Sequence, residues 1–151
     1  MNILSLQSSI GGAASVTRTL TGAYIARLQT IHCAATVVEH DLLAEAFPHL
    51  SSDMVAVSFG MPHGPSAAAQ LSDQLIAELE QCDVLLLGTP MYNFGIPSTL
   101  KAWFDYVIRA GRTFQYVDGA RRVCCRPGKR PSCSSPVAAC TRLNRGSMSI
   151  F

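Results

Sequence analysis

The sequence lacks the features that would place it in several broad classes. No apolar run approaches the roughly 20 residues needed to cross a bilayer, and Met1 to Gly12 carries no basic stretch of the kind that opens a signal peptide. A soluble cytoplasmic protein is therefore expected, with no membrane partner. Only 15% of residues are charged against 48% hydrophobic, which excludes a chain disordered throughout by composition and leaves ample material for a core. With 151 residues there is room for one conventional domain. His32, His40, His49 and His63 show no metal-ligand spacing, and the six cysteines include no C-x-x-C pair, so no metal site is expected. Cys33 and Cys82 read as inert buried thiols, and the histidines as surface or loop residues.

Acidic residues are missing altogether from one end. All ten lie at or before Asp118, where only five basic residues accompany them, so residues 1–118 carry −5. Residues 119–151 carry seven Lys or Arg, four of the six cysteines and no acid, hence +7. A basic arm for nucleic acid or anionic lipid is one reading of that stretch. Its lack of interleaved aromatics argues against it, and no nucleic-acid partner is expected. Its Arg, Cys, Pro and Ser content suits out-of-frame translation of GC-rich codons or a disordered tail.

What is present before Asp118 follows a regular grammar. Ile3-Leu4-Ser5-Leu6 reads as a buried strand. Leu20, Tyr24, Leu28 and Ile31 share one helical face, with Ser15 as N-cap. Thr36-Val37-Val38 is a second strand, and residues 42–65, broken by Pro48, Gly60, Pro62, Gly64 and Pro65, read as a long loop with a helical turn at 42–46. Leu71, Leu75, Ile76 and Leu79 predict a helix to about Gln81. Val84-Leu85-Leu86-Leu87-Gly88 is an uninterrupted apolar run of the kind found in a central parallel strand. The next helix has Pro97 in its first turn, a buried stripe of Leu100, Trp103, Phe104, Val107 and Ile108, and Gly111 past its end. Alternating strands and helices predict an α/β fold with a parallel sheet.

In open α/β sheets ligands bind beyond the carboxyl ends of the strands. The loop after the first strand, Ser8-Ser9-Ile10-Gly11-Gly12-Ala13-Ala14-Ser15-Val16-Thr17, combines hydroxyls with a helix N-terminus, where free N–H groups and the helix dipole favour a phosphate. It is neither a P-loop nor a G-x-G-x-x-G fingerprint, and a simple capped loop would look the same. The loop after the third strand, Thr89-Pro90-Met91-Tyr92-Asn93-Phe94-Gly95-Ile96-Pro97, is a stiff bend displaying apolar side chains. It suits a flat aromatic ligand, or equally a contact with a neighbouring helix or a partner subunit.

Ser8-Ser9-Ile10 with Ser15-Val16-Thr17, then Pro90-Met91-Tyr92-Asn93-Phe94, Leu100-Lys101-Ala102-Trp103-Phe104-Asp105 and Arg109-Ala110-Gly111-Arg112-Thr113-Phe114 together resemble the bacterial FMN-dependent NADH-azoreductase and quinone reductase family. The resemblance covers residues 1–118. It implies a flavodoxin-like, doubly wound parallel sheet, here C-terminally incomplete, and a homodimer with FMN near its interface. It also implies ping-pong hydride transfer from NADH or NADPH through FMN to quinones or azo compounds, although losing the C-terminal part would impair this activity. Ser9, Ser15, Val16 and Thr17 would hold the phosphate and ribityl end of FMN, and Met91, Tyr92, Asn93 and Phe94 would line its ring. No catalytic side chain is required, because the flavin carries the redox chemistry. An electron carrier of flavodoxin type, or an inactive fragment, is the alternative.

Overall fold

The computed structural model describes residues 1–62, 64–117 and 120–123. Within them the chain forms two units. The first holds Met1–Phe47 and Gln81–Lys101; the second holds Pro48–Glu80 and the chain from Ala102 to Val123.

The first unit is built on a parallel sheet ordered β2-β1-β3, with β1 at Asn2–Gln7, β2 at Thr36–Asp41 and β3 at Val84–Gly88. In register, Ile3 lies between Val37 and Val84, and Gln7 between Asp41 and Gly88. The central β1 is buried on both faces from Ile3 to Gln7, which is why its sequence is a run rather than an alternation. Even its polar residues are enclosed. Gln7 Nε2 donates to Ser5 Oγ at 3.1 Å and to Thr21 Oγ1 at 2.7 Å, so the face carrying Ser5 and Gln7 is covered by α1, Val16–Ile31.

The stripe predicted on α1 does not form the core. Among its residues only Ile25 is buried, while Leu20, Tyr24 and Ile31 are exposed and Leu28 is half-buried. The hydroxyl of Thr21 takes the inward position, where Gln7 offers it a hydrogen bond, and turns the predicted face outward.

In the second unit, α2, Ser52–Ser58, lies in the stretch expected to be loop. Ser51 caps it, its Oγ accepting from Met54 N at 3.2 Å, and Met54 and Val57 are buried. Gly60, at φ 67°, follows its end, so the glycine and prolines that suggested a loop terminate a short helix. The helix α3, Ala67–Gln81, ends where the periodicity placed its end. In it the buried Ser72 donates from Oγ to the Tyr106 carbonyl at 2.8 Å. The helix α4, Ser98–Val107, carries Leu100, Ala102, Trp103, Tyr106 and Val107 inward. Ile108 lies past its end and is exposed, and Phe104 is half-buried, so Tyr106 takes their place in the stripe. Asp73 joins α3 to the turn beyond α4 by accepting from Arg109 at 2.8 Å and Arg112 at 3.3 Å.

The strands β4, Phe114–Val117, and β5, Ala120–Val123, form an antiparallel pair with Phe114 opposite Val123. The break expected at Asp118 therefore falls between two paired strands. The dipeptide Asp118-Gly119 between them is a strong hairpin signal that composition alone concealed. Most of the segment 119–151 lies outside the described residues, as do Cys124, Cys125, Cys133 and Cys140.

Candidate functional site

Parallel pairing of β1 with β3 brings their carboxyl ends side by side and so sets the two unusual loops next to each other. Ser8 fixes the junction, donating from its N–H and its Oγ to the Gly88 carbonyl at 3.0 and 3.2 Å. Gly88 is a glycine because Gln7 lies against it: an added Cβ would collide with the Gln7 carboxamide, whose Cδ is 2.9 Å away.

The first loop folds around its own hydroxyls. Gly11 N–H donates to Ser9 Oγ at 3.2 Å, residues 12–14 make a single 3₁₀ turn, and Ser15 caps α1 by accepting from Arg18 N–H at 3.3 Å. Ser15 and Thr17 share a hydroxyl hydrogen bond of 3.0 Å. Ser9 accepts an amide and so keeps its hydroxyl hydrogen to donate outward, as does one of the two hydroxyls in the Ser15–Thr17 pair. The N–H groups of Val16 and Thr17 have no partner among the described residues, and the first turn of α1 contains no acidic residue. Of the four residues expected here, Ser9 and Ser15 are buried and Thr17 is half-buried. Val16 is 71% exposed and offers the loop its backbone, not its side chain. Open amides, hydroxyls and a positive helix end make this an anion cradle.

The second loop is a tight reversal. Tyr92 and Gly95 exchange backbone hydrogen bonds at 3.0 and 2.9 Å, and Asn93 and Phe94 between them both have positive φ, 49° and 62°, as in a type I′ turn. For a bulky aromatic residue this backbone is strained by about 1–3 kcal/mol. Phe94 is nonetheless 96% exposed and Met91 72%, so neither recovers the cost by burial. Their display is a property of the loop. Tyr92 differs from its neighbours: it is half-buried, and its hydroxyl accepts the Ile10 N–H at 3.2 Å, joining the two loops. Ile10, exposed itself, was not among the expected site residues. No pattern in the sequence announces a contact between residues 82 positions apart.

Arg18 does not serve the cradle. It pairs with Asp41 at the end of β2 at 2.7 Å. Partial burial raises the Asp41 pKa, but the Arg18 hydrogen bond, the Ala44 and Leu43 amides and the Arg18 charge outweigh it, and the carboxyl lies below its usual range. His40, expected to be a surface or loop residue, sits in β2 with its Nδ1 2.8 Å from the Glu45 carboxylate. Cys33 is exposed rather than buried because it lies beyond the end of α1, and Cys82 is half-buried. Among the described residues no three His, Cys, Asp or Glu side chains cluster as metal ligands, and no helix is long and apolar enough to cross a membrane.

Comparison with known proteins places this arrangement. A Legionella pneumophila protein named FMN-dependent NADH:quinone oxidoreductase is 44% identical over 124 residues, covering 79% of this chain and 60% of the relative. A Methylocella silvestris protein of the same name is 45% identical over 124 residues, covering 80% and 61%. The chain thus spans about three fifths of the length of these relatives. Among solved structures, the azoreductase of Bacillus anthracis strain Sterne superposes with a TM-score of 0.71 at 29% identity, covering 81% of this chain and 62% of the other. The profile of the family described as flavodoxin-like fold matches residues 1–135, which extends past Asp118. On that match, and on a β2-β1-β3 parallel sheet with its loops at the carboxyl edge, the chain belongs to the flavodoxin-like family.

Proposed function

We propose that this chain binds FMN and acts as an NAD(P)H:quinone oxidoreductase and azoreductase, with quinones and azo compounds as substrates. The observation that carries the reading is the Tyr92 to Ile10 hydrogen bond, which makes one site of an anion cradle and an apolar platform. In this reading the Val16 and Thr17 amides, with the Ser9, Ser15 and Thr17 hydroxyls, hold the phosphate and ribityl end. Their fit rests on the unpartnered amides and the absence of acid from the first turn of α1. Met91, Tyr92, Asn93 and Phe94 line one side of the ring. When bound, FMN would accept hydride from NADH or NADPH and pass it to the quinone or azo compound. The chain's own residues bind and orient, and none is required to move a proton.

The proposal includes a body at 1–118 that carries this site and a basic tail at 119–151, frameshifted or disordered past the β5 residues that pair with β4, a homodimer, and a cytoplasmic location without nucleic-acid partners. The exposed Val16, Leu20, Tyr24 and Ile31 along α1 are apolar surface that a second copy could bury. The names of the relatives support the activity. The test is NADH oxidation by the folded chain with FMN, using a quinone or an azo dye as acceptor. Acceptor-dependent turnover is expected. A folded, FMN-loaded chain that left NADH unoxidised would overturn the reductase reading in favour of an electron carrier.

A further inference from the structure

We infer that Tyr92, besides its place beside the ring, is a positioning residue for the phosphate loop, an inference that rests on the FMN reading above. Four observations carry it. Tyr92 is half-buried, whereas Met91, Asn93 and Phe94 on the same turn are exposed. Its backbone is held at the base of the turn by the paired hydrogen bonds with Gly95. Its hydroxyl accepts the Ile10 N–H at 3.2 Å, in the middle of the loop from Ser8 to Ser15. The Ile10 side chain is exposed, so little packing holds that part of the loop otherwise.

The consequences follow from the geometry. Ser9, on one side of Ile10, binds the Gly11 amide, and Ser15, further on, caps α1. Tying Ile10 to the rigid turn fixes the path between these two hydroxyls and so presets the cradle before the anion arrives. Preorganisation of this kind strengthens binding by removing an ordering cost, without adding a contact to the ligand. It acts on the phosphate end of the ligand only.

Flavin titrations that compare FMN with riboflavin, its phosphate-free form, separate this role from ring lining. Tyr92→Phe keeps the ring and deletes the acceptor. FMN affinity is expected to fall about fivefold, the worth of one hydrogen bond, while riboflavin affinity stays within about twofold. Amide exchange at Ile10 in the ligand-free chain is expected to quicken by a similar factor. Equal losses for FMN and riboflavin, or unchanged exchange at Ile10, would overturn the inference. Replacing Ile10 by its α-hydroxy acid deletes the same N–H from the other side and serves if Tyr92→Phe does not fold; it must give the same pattern. Should the unmodified chain bind neither flavin, the FMN reading fails. The exchange rate at Ile10 then decides the latch alone, faster in Tyr92→Phe sustaining it and unchanged overturning it.

Discussion

Gly88→Ala tests the junction from which both loops depart. The new Cβ would lie 2.9 Å from Gln7 Cδ and closer still to Gln7 Oε1. Gln7 cannot step aside freely, because it is buried and its Nε2 is bonded to Ser5 at 3.1 Å and Thr21 at 2.7 Å. Overpacking of a tight interior costs about 1–3 kcal/mol, and a carboxamide pushed off one of its hydroxyl partners adds about 1 kcal/mol. A loss of about 2–4 kcal/mol is expected, and for a chain of this size that lowers the melting temperature by about 10 °C. Urea unfolding followed by circular dichroism measures the loss. The double variant with Gln7→Ala then isolates the cause. If the clash is with Gln7, the double variant is more stable than the sum of the single losses predicts, by about 1–3 kcal/mol. A Gly88→Ala chain as stable as its parent, or strictly additive losses, would refute the reasoning.

Other expectations are more local. Ser15→Ala removes the cap of α1 and should cost about 1 kcal/mol in urea unfolding while weakening FMN more than riboflavin. Phe94→Gly relieves the positive-φ strain and removes a side chain that buries nothing, so stability should hold or rise by up to about 1 kcal/mol while both flavins bind more weakly. Because the folded-state pKa of Asp41 is lowered, its pair with Arg18 contributes above the unfolded carboxyl pKa of about 3.9 and is lost as pH falls through the folded value. Both partners are partly exposed, so Asp41→Asn should cost under about 1 kcal/mol at pH 7 and progressively less as the pH falls below the unfolded carboxyl value, read from paired denaturation curves.

Most of the first unit is legible in its residues. The Ile3–Leu6 run becomes a strand because burial on both faces leaves no room for alternation, and Ser15 caps α1 as its position suggests. The Val84–Leu87 run is also a strand, but it lies at the edge of the described sheet and is half-buried, not the covered central strand that its apolar run suggests. The departures have separate causes. On α1 the eye follows Leu20 and Tyr24, but the buried polar row of β1 selects Thr21, and polar pairing of that kind carries no hydrophobic period. The α2 helix spans seven residues, too few to establish a period between the prolines and glycine around it, although Ser51 and Asp53 are start signals. The β4 and β5 pair is hidden by a charge boundary that has no bearing on backbone pairing. In the site, both loops are legible as loops with chemistry. Their connection through Tyr92 and Ile10 is not, because strand order alone brings them together.

The central claim is that the cradle and the platform form one flavin site, and fluorescence titration of FMN into the purified, folded chain tests it most directly. Saturable quenching at one FMN per chain, weaker with riboflavin and weakened further by Phe94→Gly, is the predicted result. A folded chain that leaves FMN fluorescence unchanged at every concentration would contradict it.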